Sequence, residues 1–150
     1  MKFPFFLLIF FLLITGCDAD YLTARKERKE YAEEAEKAII GLAWSPDDAL
    51  ARGVELAVRE INDSDVLGDK EIYVQTIDDG YGDNLQRDDL NRRVRHVART
   101  FASNQKVVAV IGHRSSAAAL PASITYEYFG VVFFAPTATH WPPRPGLNRG

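Results

Sequence analysis

The chain has 150 residues and a net charge of −3, from 18 Lys and Arg against 21 Asp and Glu. That balance excludes the basic footprint of a nucleic-acid binder. Its one cysteine, Cys17, excludes an internal disulfide and a thiolate metal cluster, so the fold rests on packing alone.

The first element is a leader. Lys2 precedes an unbroken apolar run, Phe3 to Ile14, and small residues follow it. A cationic start, a short apolar core and a small-residue cut describe a secretory signal peptide. The run is too short to span a bilayer comfortably. Leu13-Ile14-Thr15-Gly16-Cys17 resembles the bacterial lipoprotein box. The resemblance implies cleavage before Cys17 and a diacylglycerol on its thiol. The expected product is exported and lipid-anchored at the bacterial cell membrane, facing the periplasm or the cell exterior. A two-chain anchor holds where one acyl chain would not.

Asp18 to Lys37 is nearly all charge and alanine. These residues favour helix, and Glu33 and Lys37 attract at i,i+4. No apolar stripe runs along the segment, so it has little to bury. It reads as a solvated helical tether, with a docking helix for a partner as the other reading. The expected divisions are 1–16 for the signal, 17–37 for the anchor and tether, and 38–150 for the domain.

A repeating pattern then begins. Ala38–Trp44 is a short apolar run suited to a buried strand, and Ser45-Pro46-Asp47-Asp48 is a turn that can cap a helix. Apolar residues at 50, 54, 57, 58 and 61 have helical spacing. Glu71–Ile77 is a second strand, followed by the loop Asp78–Asp83. Leu85–Phe101 reads as an arginine-rich helix with Leu90, Val94, Val97, Ala98 and Phe101 on one side. Lys106–Gly112 is a third strand. Ser115 or Ser116 caps a helix running to about Phe129, which Pro121 kinks or restarts. Val131–Ala135 is a fourth strand, and Pro142, Pro143 and Pro145 mark an extended tail. Apolar strands alternating with helices predict an α/β fold: a parallel sheet with helices on both faces.

In such sheets ligands bind beyond the carboxyl ends of the strands. Four loops qualify: 44–48, 78–83, 112–116 and 136–141. Gly112-His113-Arg114-Ser115-Ser116 leads into a helix N-terminus, which favours an anion such as a carboxylate. The plain reading of those serines is a helix cap. Pro136-Thr137-Ala138-Thr139-His140 offers hydroxyls and carbonyls, in isolation an ordinary strand exit. The glycines form neither a P-loop nor a dinucleotide fingerprint. His96, His113 and His140 show no ligand spacing, so no metal is expected. Asp78-Asp79 reads as a solvated loop or a cap rather than an acid–base pair. No Ser/His/Asp ordering or nucleophile elbow appears, and no cofactor is expected.

Together, Gly53–Asn62, the Asp78-Asp79 loop, Val110–Ser116, Pro121-Ala122-Ser123, Tyr126 through Gly130 and Ala135–Thr139 resemble the branched-chain amino-acid binding proteins of bacterial ABC transporters. These are type I periplasmic binding proteins, in which an amino acid lies between two lobes. The resemblance covers about Ile39 to His140 and only the N-terminal part of the family. It implies that Ser116, beside Ser115, and Thr139 receive the ligand carboxylate. It implies that the Thr137 carbonyl and the Thr139 hydroxyl receive the ammonium, with Ala138 between them. Trp44 is the aromatic expected to line the pocket. The implied partners are a small amino-acid-like ligand, a membrane permease and, through the anchor, the membrane. Family chains are more than twice as long, so the chain reads as part of one lobe: a fragment, a truncated product or a frameshifted remnant. A sensor ectodomain on the same fold is the second reading, and an amidase or hydrolase domain the third.

Overall fold

The computed structural model describes residues 16–139. The apolar leader and the stretch from His140, including Trp141 and the three prolines, lie outside the described residues. The elements in order are α1 (Gly16–Glu34), β1 (Lys37–Ala43), α2 (Ala49–Asn62), a short 3-10 turn (Asp65–Leu67), β2 (Glu71–Ile77), α3 (Arg87–Ser103), β3 (Val107–Gly112), α4 (Ser116–Tyr128) and β4 (Val132–Phe134). Every expected strand and helix is present. Helix α4 runs through Pro121 without a break.

The four strands are parallel, in the order β2-β1-β3-β4. Alternation along β1 explains the layers. Leu42 points into a cluster with Trp44, Ala51, Leu50, Val54, Val74 and Ile111, under α2. Ala43 points to the opposite face, into the larger cluster formed by Val94, Val97, Ala98 and Phe101 of α3 with Ala118, Ala122 and Tyr126 of α4. Gly41 is required by this packing, because a Cβ there would lie 2.8 Å from the Phe101 ring. The edge strand β2 gains a side-chain partner. The Asn62 amide donates to the Ile72 carbonyl (2.7 Å) and accepts from the Ile72 N–H (2.9 Å), in place of a neighbouring peptide.

Helix α1 departs from the expectation of a solvated tether. The helix is there, and its ion pairs Lys26–Glu30 and Lys29–Glu33 are exposed. Arg28, however, is only 3% exposed. Its guanidinium donates to the carbonyls of Ala102 (2.6 Å), Asn104 (2.9 Å) and Phe129 (3.0 Å), and to that of Val107. Burial lowers its pKa from the ordinary arginine value. The segment lacks an apolar stripe, as its composition says. It docks through hydrogen bonds to carbonyls instead.

Candidate functional site

The strand order places the site. In the series β2-β1-β3-β4 the chain direction across the sheet reverses between β1 and β3. Such a switch point opens a crevice at the carboxyl ends of the two strands, because their following connections leave toward opposite faces. Here those connections are Trp44–Asp48, leading to α2, and His113–Ser115, leading to α4.

Each loop is held by its own local chemistry. Asp48 caps α2, its Oδ1 accepting from the Leu50 amide at 2.9 Å. Its other oxygen accepts from the Arg114 guanidinium at 3.0 Å. The Leu50 amide foremost, with the Trp44 indole and Arg114, holds the Asp48 carboxyl below the usual carboxylate range despite some opposing desolvation. Ser115 caps α4, its hydroxyl accepting from the Ala118 amide at 3.2 Å. Gly112 ends β3 at φ +139°, and a Cβ there would sit 2.5 Å from the Ala43 carbonyl oxygen. Only glycine lets β3 pass β1 this closely.

The loops meet at one edge. The Thr137 hydroxyl donates to the Arg114 carbonyl at 2.6 Å, tying the segment after β4 to the one after β3. The Arg114 guanidinium lies 5.8 Å from the Trp44 ring and 5.3 Å from the Tyr81 ring, within cation–π range of both. Trp44 is thus at the expected edge but buried, with Arg114 over it. Its indole Nε1 lies beside Asp48 but makes no hydrogen bond of good geometry among the described residues. Ser116 opens α4, while Thr137 and Thr139 are exposed just past β4. The chain brings together the loops bearing Trp44, Ser115, Ser116, Thr137, Ala138 and Thr139. Arg114 and Tyr81 join them, residues to which no role was assigned from sequence.

Beneath the edge lies a polar network that sequence reasoning missed. Asp79, expected in a solvated loop or a cap, is buried. Its Oδ2 is 3.0 Å from His113 Nδ1, and His113 Nε2 is 3.2 Å from the Tyr126 hydroxyl. Asp79 Oδ1 also accepts from the Tyr81 amide at 3.2 Å. An Nδ1–H tautomer satisfies the set: His113 donates to Asp79 and accepts from Tyr126. Burial, and then the Asp79 charge, push the Tyr126 phenol far above its ordinary value. The network ties the loop after β2 to the loop after β3 and to α4. A buried carboxylate needs such partners, which explains why a solvated reading fails here.

The surface grooves lie elsewhere. One is lined by Arg99, Ser103, Thr125, Tyr128 and Phe129; the other lies between α1 and β3–β4. Neither has convergent ligand-binding chemistry. Among the described residues no group of His, Cys, Asp and Glu could hold a metal, and no helix is long and apolar enough to cross a membrane.

No family model and no curated protein sequence matches the chain. Solved structures do. An ABC transporter substrate-binding protein from Desulfitobacterium hafniense, solved in complex with Leu and also in a second structure, is 34% identical with a TM-score of 0.59. The match covers 69% of this chain and 29% of that one. The branched-chain amino acid transporter substrate binding protein LivJ from Streptococcus pneumoniae, in complex with isoleucine, is 26% identical with a TM-score of 0.56, covering 69% of this chain and 30% of that one. The chain thus spans under a third of the length of these relatives. The resemblance carried by the sequence motifs holds as a partial match to the substrate-binding proteins of ABC transporters, with the α/β fold of the periplasmic binding proteins.

Proposed function

We propose that the described domain is one wall of an amino-acid binding site in an exported, lipid-anchored substrate-binding protein that serves a membrane permease. The observation that carries this reading is the meeting of the Trp44, Arg114–Ser116 and Thr137–Thr139 loops at the sheet's switch point. It is supported by relatives of the same fold that hold Leu and isoleucine. In this reading the α4 N-terminus and Ser116, with Thr139, take the ligand carboxylate. The Thr137 carbonyl and the Thr139 hydroxyl take the ammonium, and the Trp44 side forms the pocket wall. Binding involves no covalent chemistry. Asp79, His113 and Tyr126 have the connectivity of a proton relay, but they are buried and satisfied by one another, beyond reach of a substrate.

The remaining assignments belong to the same proposal: residues 1–16 as the signal, Cys17 as the acylated residue, 17–37 as the anchored segment and 38–150 as part of the N-terminal lobe. Expressed in a bacterium, the protein is expected in the membrane fraction, with Cys17→Ala released or left unprocessed. Equal membrane association of both would contradict the anchor.

A single wall leaves most of a ligand in water, and two-lobed binders gain their remaining contacts by hinge closure. Isothermal titration of the chain with leucine, isoleucine, valine and polar amino acids is therefore expected to show no binding at micromolar concentrations. Micromolar binding by a monodisperse monomer would show a complete module and overturn the one-wall reading.

A further inference from the structure

Helix α1 lies across the base of the sheet, the end opposite the candidate site. Three contacts trace its path. Arg25 packs against Gly130, just before β4, where a Cβ on Gly130 would lie 3.2 Å from the Arg25 Cα. Arg28 reaches Ala102, Asn104 and Val107 before and at the start of β3, and Phe129 at the end of α4. Lys70, just before β2, donates to the carbonyls of Ala32 (3.0 Å) and Glu33 (2.8 Å) at the end of α1. The Gln105 amide also donates to Glu27 at 2.5 Å.

The chemistry explains how so polar a helix can dock. The last carbonyls of α3 and α4 have no partner within their own helices, and both helix ends carry partial negative charge. They converge on one spot at the base. A guanidinium carries five donors in a fixed fork, which suits several carbonyls at once. Arg28 therefore caps two helices and the first residue of β3 together. Lys70 does the same for α1 itself.

We propose that α1 is a rigid mount: a helix locked to the base of the domain by Arg28, which fixes where the N-terminal segment leaves the fold and holds the candidate binding edge at the far end. The six residues of β3 set that separation at about 20 Å. Whatever holds the chain by its N-terminal side then presents the edge outward in one orientation. The mount stands whether or not the edge binds an amino acid.

Hydrogen exchange on the full chain in detergent tests it, comparing the wild type with Arg28→Met, Arg28→Lys and Lys70→Met. Met keeps the length of the side chain without its donors. In wild type the amides of residues 25–34 are expected to be protected. In Arg28→Met they exchange at least about 10-fold faster, since an isolated polar helix is marginal, while the strands keep their protection. Arg28→Lys falls between, and Lys70→Met frees only the last turn. Equal exchange of α1 in wild type and Arg28→Met would overturn the proposal, because α1 would then be a free tether. Loss of protection throughout the sheet in Arg28→Met would also overturn it, because α1 would be core rather than mount. Spin labels at Lys26→Cys and Glu55→Cys in a Cys17→Ser chain add a direct readout. A mount gives one narrow distance distribution that broadens in Arg28→Met, and a broad wild-type distribution contradicts it.

Discussion

His113 and Asp79 stand 34 residues apart in sequence and meet at 3.0 Å, both buried, directly under the edge where the candidate site lies. Removing one partner of this buried hydrogen bond leaves the other polar group unsatisfied, which costs about 1–3 kcal/mol. His113→Ala and Asp79→Ala are each expected to lower the unfolding free energy in urea by about that amount. The double variant should lose clearly less than the sum, because the partners act as one unit. Additive losses would show that the two do not interact.

The Tyr126 phenol gives an alkaline signature. Its folded pKa is raised, by burial and then by Asp79, so it stabilises the fold below the ordinary tyrosine value of about 10. That contribution is lost as the pH rises above this value. Phenolate absorbance should therefore leave one of the six tyrosines untitrated until the domain unfolds. Titration of every tyrosine near pH 10, with a native far-ultraviolet spectrum retained, would contradict the network.

Asp48 acts in the opposite direction and at the other end of the scale. Its folded pKa is lowered, chiefly by the Leu50 amide, so its contribution is present above about pH 4 and lost as the pH falls below it. Asparagine caps a helix about as well as aspartate, so Asp48→Asn isolates the charge. The variant should show a shallower fall in stability between pH 4 and 2 than the wild type. An unchanged acid limb would place the linkage elsewhere.

Among the described residues, β4 is an edge of the sheet, with Val132 and Phe134 68% and 62% exposed. An apolar edge strand offers both a surface and unpaired backbone groups to a second copy. The chain is expected to self-associate as its concentration rises, and Val132→Lys with Phe134→Lys should reduce that without lowering the thermal midpoint. Sedimentation that shows identical association in both would exclude β4 as the contact.

The parts of this structure that were legible are those set by apolar patterning. Short continuous apolar runs around Leu42 and Val110 and helical spacing from Leu50 to Ile61 fix the elements to within a residue or two. Parallel strands then bring the Trp44, Ser116 and Thr137 loops to one edge. Arg28 was illegible because its partners are backbone carbonyls, which leave no mark in side-chain identity. Asp79 was illegible for a related reason. Two acids before Gly80 look like a turn, and the Asp78 carboxylate does accept from the Gly80 amide. Nothing local says that its neighbour turns inward to a histidine on another loop. Arg114 was read only as a loop residue, since its stacking on Trp44 and Tyr81 requires three loops to converge.

The most direct test of the central claim is a two-dimensional NMR titration of the chain with leucine at millimolar concentration. Weak, saturable shifts are expected, confined to the Trp44 indole, the amides of Arg114 to Ala118, and Thr137 to Thr139, with no response at the base around Asn104 and Gly130. Shifts centred on either surface groove, or none at the switch-point edge, would contradict the assignment of that edge as a ligand-binding wall.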